Sequence, residues 1–197
     1  MKEHVKRLSK LCFYHLRQLR VVRKSVTEQA CVALVHAFVA SRLDYCNSLL
    51  YGISDSLVNS LQSILRSAAR LVLRKRKFEP ITAAMRDKLH WLPVRQRIAY
   101  KLCTITYNCL HSTAPSYLSD MLASVDTVEA RRRNRSATRH DLLVPRYRLA
   151  RYGQRSFAVA APATWNALPP ELRDFNLGVA TFRRHLKTFL FQQAYCL

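Results

Sequence analysis

Two sets of residues in this chain have the types and spacing to do chemistry. The first is soft: Cys12-x-x-His15 and Cys103-x5-Cys109-x-His111 bring thiols together with imidazoles. As thiolate and neutral imidazole they would suit tetrahedral zinc, and as a paired thiol and base they would form a nucleophile. Cys12, Cys103 and Cys109 fall on or beside apolar stripes, however, where free cysteine acts as a small hydrophobe. No metal, cofactor or catalytic residue is therefore expected. The second set is cationic. Arg66, Arg70 and Arg74 recur at every fourth residue, the run continues through Lys75, Arg76 and Lys77, Arg97 and Lys101 form another pair, and Arg131, Arg132, Arg133, Arg135 and Arg139 crowd a third stretch. Guanidinium groups in helical register can follow a phosphate chain, making contacts that position a nucleic acid without reading its sequence.

The composition agrees with the second set. Across 197 residues, 33 Lys and Arg face 12 Asp and Glu, a formal net charge of +21 that calls for a polyanionic partner. The three glycines, Gly52, Gly153 and Gly178, lie too far apart for any glycine-rich nucleotide loop. The six cysteines form no CxxC pair and no regular framework, which fits a reduced, intracellular setting, nuclear or cytoplasmic. No apolar run approaches the roughly 20 residues of a membrane helix, so no membrane partner is expected.

Helical periodicity supplies the elements that hold these cations. Val5, Leu8, Leu11, Cys12, His15, Leu16 and Leu19 predict a helix over about 2–22, with Lys6, Lys10, Arg17 and Arg20 on its other face. Ser25 and Glu28 have capping-box spacing, and the stripe Cys31, Val35, Phe38, Val39, Arg42, Cys46, Leu49, Leu50 predicts one continuous helix ending near Gly52. A third helix, capped by Ser54, buries Leu57, Leu61, Ile64, Leu65, Ala68, Leu71 and Val72 and shows Gln62, Arg66, Arg70 and Arg74 on the opposite face. A charged solvent face is what any amphipathic helix presents, but here almost no acid stands ready to pair with it. A short helix over 81–89, a long one starting at Pro93 and another short one over 115–122 follow. The stretch 123–140 reads as a basic linker. Beyond it come extended pieces over 142–144 and 146–149, helical patches over 153–160 and 162–168, and a last helix over 177–194. The expectation is a mainly α protein: a helical bundle over 1–122, the linker, and a small C-terminal unit over 141–197 with a possible short strand pair. Trp91 and Trp165, each beside proline in an apolar context, are expected in the core.

Several ordered strings carry a further signal: Leu16-Arg17-Gln18-Leu19-Arg20 after His4; Ser41-Arg42-Leu43-Asp44-Tyr45-Cys46-Asn47-Ser48-Leu49-Leu50; Ala68-Ala69-Arg70-Leu71-Val72; Leu89-His90-Trp91-Leu92-Pro93-Val94-Arg95-Gln96-Arg97-Ile98; and Tyr152-Gly153-Gln154-Arg155-Ser156-Phe157 leading into Ala161-Pro162-Ala163-Thr164-Trp165-Asn166-Ala167-Leu168-Pro169. Together they resemble the C-terminal part of non-LTR (LINE-type) retrotransposon reverse transcriptases of the Jockey and chicken-repeat kind, over essentially the whole chain. The resemblance implies a thumb, the helical bundle that grips template and growing strand, followed by its C-terminal extension. It does not bring polymerase activity with it. The palm's paired-aspartate box and the N-terminal endonuclease are missing, and two-metal phosphoryl transfer needs clustered carboxylates, whereas the acids here are scattered.

The functional expectation is a detached, non-catalytic portion of a transposable element's RNA-directed DNA polymerase. It would bind RNA or RNA/DNA hybrid through the basic helix faces named above. The alternatives are a protein-interaction module with an acidic partner, a subunit that completes a separate palm fragment, and a relic of a mobile element with no selected role. The run 74–77 also has the composition of a nuclear-import signal, or of a solvated loop.

Overall fold

The computed structural model describes residues 1–125, 140–149 and 153–196. These are mainly helical, as the periodicity predicts. Among them, no helix is long and apolar enough to cross a membrane. The chain forms two compact units, Met1–Asn47 with Ile53–Arg97, and Ser48–Gly52 with Ile98–Leu197. The expected boundary at 122 and the observed division inside a helix differ for a packing reason. Beyond Ile98 that helix buries Leu102, Cys103, Thr106 and Tyr107 among residues of the second unit.

In the first unit, α1 (Lys2–Val22) turns Val5, Cys12, Leu16 and Leu19 inward and packs along α4 (Asp55–Val72). The buried set of α4 includes Leu61, Ile64, Leu65, Ala68, Ala69, Leu71 and Val72, close to the expected stripe. Between them the chain departs from one long helix. The N-cap of α2 (Glu28–Val35) is Thr27, whose Oγ1 accepts from the Ala30 N–H at 3.2 Å, so the expected Ser25 capping box is not the cap used. A π turn follows over His36–Ala40, then α3 (Ser41–Asp44), after which Tyr45 is extended and Cys46 takes φ +50°. The wider turn changes which side chains face inward. Val39, Ala40, Leu43, Asn47 and Leu50 are buried, while the expected core residues Phe38 and Leu49 are exposed. Short α5 (Thr82–Asp87) leads into a turn that buries Trp91 and Leu92, and α6 (Val94–Leu110) starts just after Pro93.

In the second unit, after α7 (Ser116–Ser119), α8 (Phe157–Asn166) runs helically through Pro162 instead of breaking into two patches. Burial of Val159, Ala160, Ala161 and Trp165 overrides a proline cost of about 3 kcal/mol. The core of this unit forms around Phe182 of α9 (Val179–Tyr195), fully buried, with Tyr107 stacked on it at 4.3 Å and Trp165 at 5.9 Å between ring centroids. The expected strand pair reduces, among the described residues, to a single antiparallel bridge between Ser124 and Leu142. The amide of Asn166 supplies Leu142 with a second partner, accepting from its N–H and donating to its C=O, both at 2.8 Å. Nearby, the buried Trp165 Nε1–H donates to the His140 carbonyl at 3.2 Å.

Candidate nucleic-acid interface

The three arginines spaced at four residues from α4 onward do not form one open row. On α4, Gln62 Oε1 accepts from the Val94 N–H at 2.9 Å, and Arg66 stands exposed, with no hydrogen bond or ion pair among the described residues. Arg70 is half-buried, and its guanidinium donates twice to the Glu79 carbonyl at 3.2 and 3.1 Å. Arg74 lies past the helix end, at φ +52°. The Lys75 N–H bonds the Arg70 carbonyl at 2.9 Å and the Arg74 N–H bonds that of Leu71 at 3.4 Å, a left-handed C-terminal closure in which glycine is usual.

The run 74–77 is tied down from one side by Glu79. Its carboxylate accepts from the Arg76 N–H at 2.8 Å and from Lys75 Nζ at 3.3 Å, bonds that hold the carboxyl below its ordinary value. Arg76 and Lys77 remain exposed. Arg97 departs further from expectation. Both arms of its guanidinium grip Asp44, Nε at 2.8 Å from Oδ1 and Nη2 on Oδ2, so it serves as an internal brace for the turn after α3. Lys101 is exposed on α6 and belongs to the second unit, whereas Arg66, Arg70 and Arg74 belong to the first. Arg131, Arg132, Arg133, Arg135 and Arg139 lie outside the described residues.

Where α4 ends, α1 completes a basic groove that single-helix reasoning misses. The cavity, about 960 Å³, is lined by Lys10, Phe13, Leu16, Arg17, Arg20, Arg23, Lys24, Ser67, Arg70, Leu71, Arg74, Lys75 and Lys77. Nine of these thirteen are Lys or Arg and none is acidic. Lys10, Arg17, Arg20 and Lys24 are exposed and make no hydrogen bond or ion pair among the described residues. Their signal was present in the sequence: with Phe13 they form a stripe at spacings of three and four along α1 and the turn beyond it.

Arg23 has a different task. It is buried and makes no ion pair among the described residues. Its guanidinium donates to the carbonyls of Leu71 at 3.0 Å, Val72 at 2.7 Å and Val26 at 3.0 Å. The first two lie at the C-terminal end of α4, where the backbone dipole favours a cation; Val72 is among the carbonyls that a helix leaves unpaired there, while Leu71 also accepts from the Arg74 N–H. Arg74 Nη2 approaches the Arg23 carbonyl at 3.5 Å, so the end of α4 and the turn after α1 are joined in both directions.

The soft residues do not converge. Cys12 and Cys103 are buried, and burial pushes their thiols up to about 11 and about 12. His15 stacks on Phe38 at 5.5 Å, while burial and then Arg42 lower its ring below the ordinary value. His111 stacks on Tyr107 at 3.8 Å, with its ring nitrogens 2.9 and 3.1 Å from the carbonyls of Tyr107 and Phe175. Among the described residues, no three His, Cys, Asp or Glu side chains gather where they could share an ion. Compared with protein-family models, with curated proteins and with solved structures, the chain matches none.

Proposed function

We propose that this chain binds the backbone of RNA or of an RNA/DNA hybrid, tolerant of sequence and without catalysing a reaction, in the basic groove of its first unit. The observation that carries this reading is the groove's lining, with nine cations and no carboxylate. Like charges gathered on folded helices repel one another, and a phosphodiester chain relieves that repulsion while releasing its own counterions. The likeness of the sequence strings to a reverse-transcriptase thumb supports the same class of partner, because gripping a strand is what that element does. Polymerisation is not proposed, since the carboxylates it needs are not encoded in these residues.

The test is a binding titration of the full chain against labelled RNA and hybrid over about 50–200 mM salt, where each phosphate contact adds about −0.7 (single strand) to −0.9 (duplex) to the slope of log K against log salt. Replacing Arg17, Arg20 and Lys24 together with Gln should flatten the slope by about 2 to 3 on that basis. An unchanged slope would remove the groove from the binding surface. Weak, salt-insensitive binding to every nucleic acid would favour an acidic protein partner.

A further inference from the structure

We infer that the groove takes an unpaired stretch of nucleic acid, one of whose bases stacks on Phe13. This rests on the backbone-binding reading and adds the kind of strand. In the α1 stripe Lys10, Phe13, Arg17, Arg20, Lys24, an aromatic ring takes a place among cations instead of joining Val5, Cys12 and Leu16 inside. Phe13 remains 38% exposed and lines both the basic groove and a smaller cavity of about 380 Å³ beside it. An apolar ring left in water forgoes burial, and a base covering it would recover that burial while its phosphates met the neighbouring cations. Bases in a duplex have their faces covered by one another, so a ring set in a recess meets only edges and backbone. A single strand offers the face directly. At about 960 Å³ the groove is at the upper end of the roughly 300–1,000 Å³ typical of sites that enclose a small molecule, so it has room for a base as well as phosphates. Phe78, 88% exposed, directly follows the groove residue Lys77, whose Nζ lies 5.2 Å from its ring centroid, and gives the margin a second open ring.

The experiment uses the full chain and fluorescence anisotropy with labelled oligo(U) about 20 nucleotides long, an RNA duplex and an RNA/DNA hybrid of the same length, at low salt. Oligo(U) should bind more tightly than either duplex. Phe13→Leu keeps apolar bulk but removes the ring, and should weaken oligo(U) binding about five-fold or more while leaving duplex binding within two-fold, as the loss of one base stack requires. Phe13→Trp should restore the single-strand affinity. Melting curves that overlay the parent protein's establish that the variants are folded, and Phe78→Ala, at a nearly fully exposed position beside the Lys77 ammonium, gives a second reading with little packing to lose. Equal affinity for single and double strands would overturn the inference. So would a silent Phe13→Leu, or displacement of oligo(U) by polyglutamate as readily as by unlabelled oligo(U). If both kinds of strand bind with steep salt dependence and Phe13→Leu is silent, this inference alone falls. If nothing binds with salt dependence, the backbone-binding reading falls with it.

Discussion

Replacing Arg23 with Met should destabilise the first unit by about 3 kcal/mol. The side chain is buried and its guanidinium donates to three carbonyls; at the closed end of α4 the Val72 carbonyl would lose this donor, while that of Leu71 would keep the Arg74 N–H. A buried acceptor left without its donor costs about 1–3 kcal/mol, and removing a cation from a helix C-terminus costs about 0.3–1 more. Methionine refills part of the aliphatic volume, and the Val26 bond is only partly buried, which keeps the sum near the middle of that range. Trp91 lies in the first unit and Trp165 in the second, so Trp165→Phe leaves one fluorophore reporting the unit that contains Arg23. With a urea m-value of about 1–3 kcal/mol/M, the midpoint of the Trp91 transition should fall by about 1–3 M in Arg23→Met. Arg23→Lys, which keeps the charge but lacks the planar fork, should lose about half as much. A Trp91 midpoint unchanged by the Met substitution would refute the account of Arg23 as the cap of α4.

The brace and the groove should separate cleanly. Arg97→Gln is expected to lower stability by about 1–2 kcal/mol, because it leaves Asp44 without its charged partner, and to leave the salt slope of RNA binding unchanged; a slope shift of about 0.7 or more would return Arg97 to the interface. Among the six free cysteines, Cys46 and Cys196 are exposed, so a thiol reagent at about pH 8 should modify two quickly and Cys12, Cys31, Cys103 and Cys109 only as the fold opens. The raised thiols of Cys12 and Cys103 also set an alkaline limit. The unfolded chain releases these protons near the ordinary value of 9.0 and the folded chain retains them to about 11 and 12, so their contribution is complete below pH 9 and is lost as pH rises through that window. Thermal midpoints should fall across it, and Cys103→Ala should make the fall shallower.

Periodicity made α1, α4 and α9 legible, because each buries one stripe and leaves the rest in solvent. It failed between Ser25 and Gly52, where Thr27, not Ser25, caps α2, and a π turn at His36–Ala40 re-aims the residues that follow. A turn of that kind leaves no mark in apolar spacing. The basic groove was partly legible. Residues spaced at four were recognisable as a basic face, but spacing cannot tell an arginine open to solvent, such as Arg66, from one held by a distant carbonyl or carboxylate, such as Arg70 or Arg97. The groove depends on α1 lying along α4, a pairing that no single-helix pattern contains. Arg23 was hidden for a related reason, since its partners are main-chain oxygens 48 and 49 residues away that carry no side-chain signature.

Arg74 combines two roles that ordinarily go to different amino acids. Its left-handed backbone costs most side chains about 1 kcal/mol or more relative to glycine, yet its side chain lines the basic groove and reaches back to Arg23. The sharp reversal that stops α4 thereby projects a positive charge at the place where the two rods meet. Glycine at that corner would relieve the backbone but give up the charge and the bond to the Arg23 carbonyl, both of which the arginine keeps. Its presence ties the local geometry of the bend to the electrostatic field above it, so that neither can drift without the other.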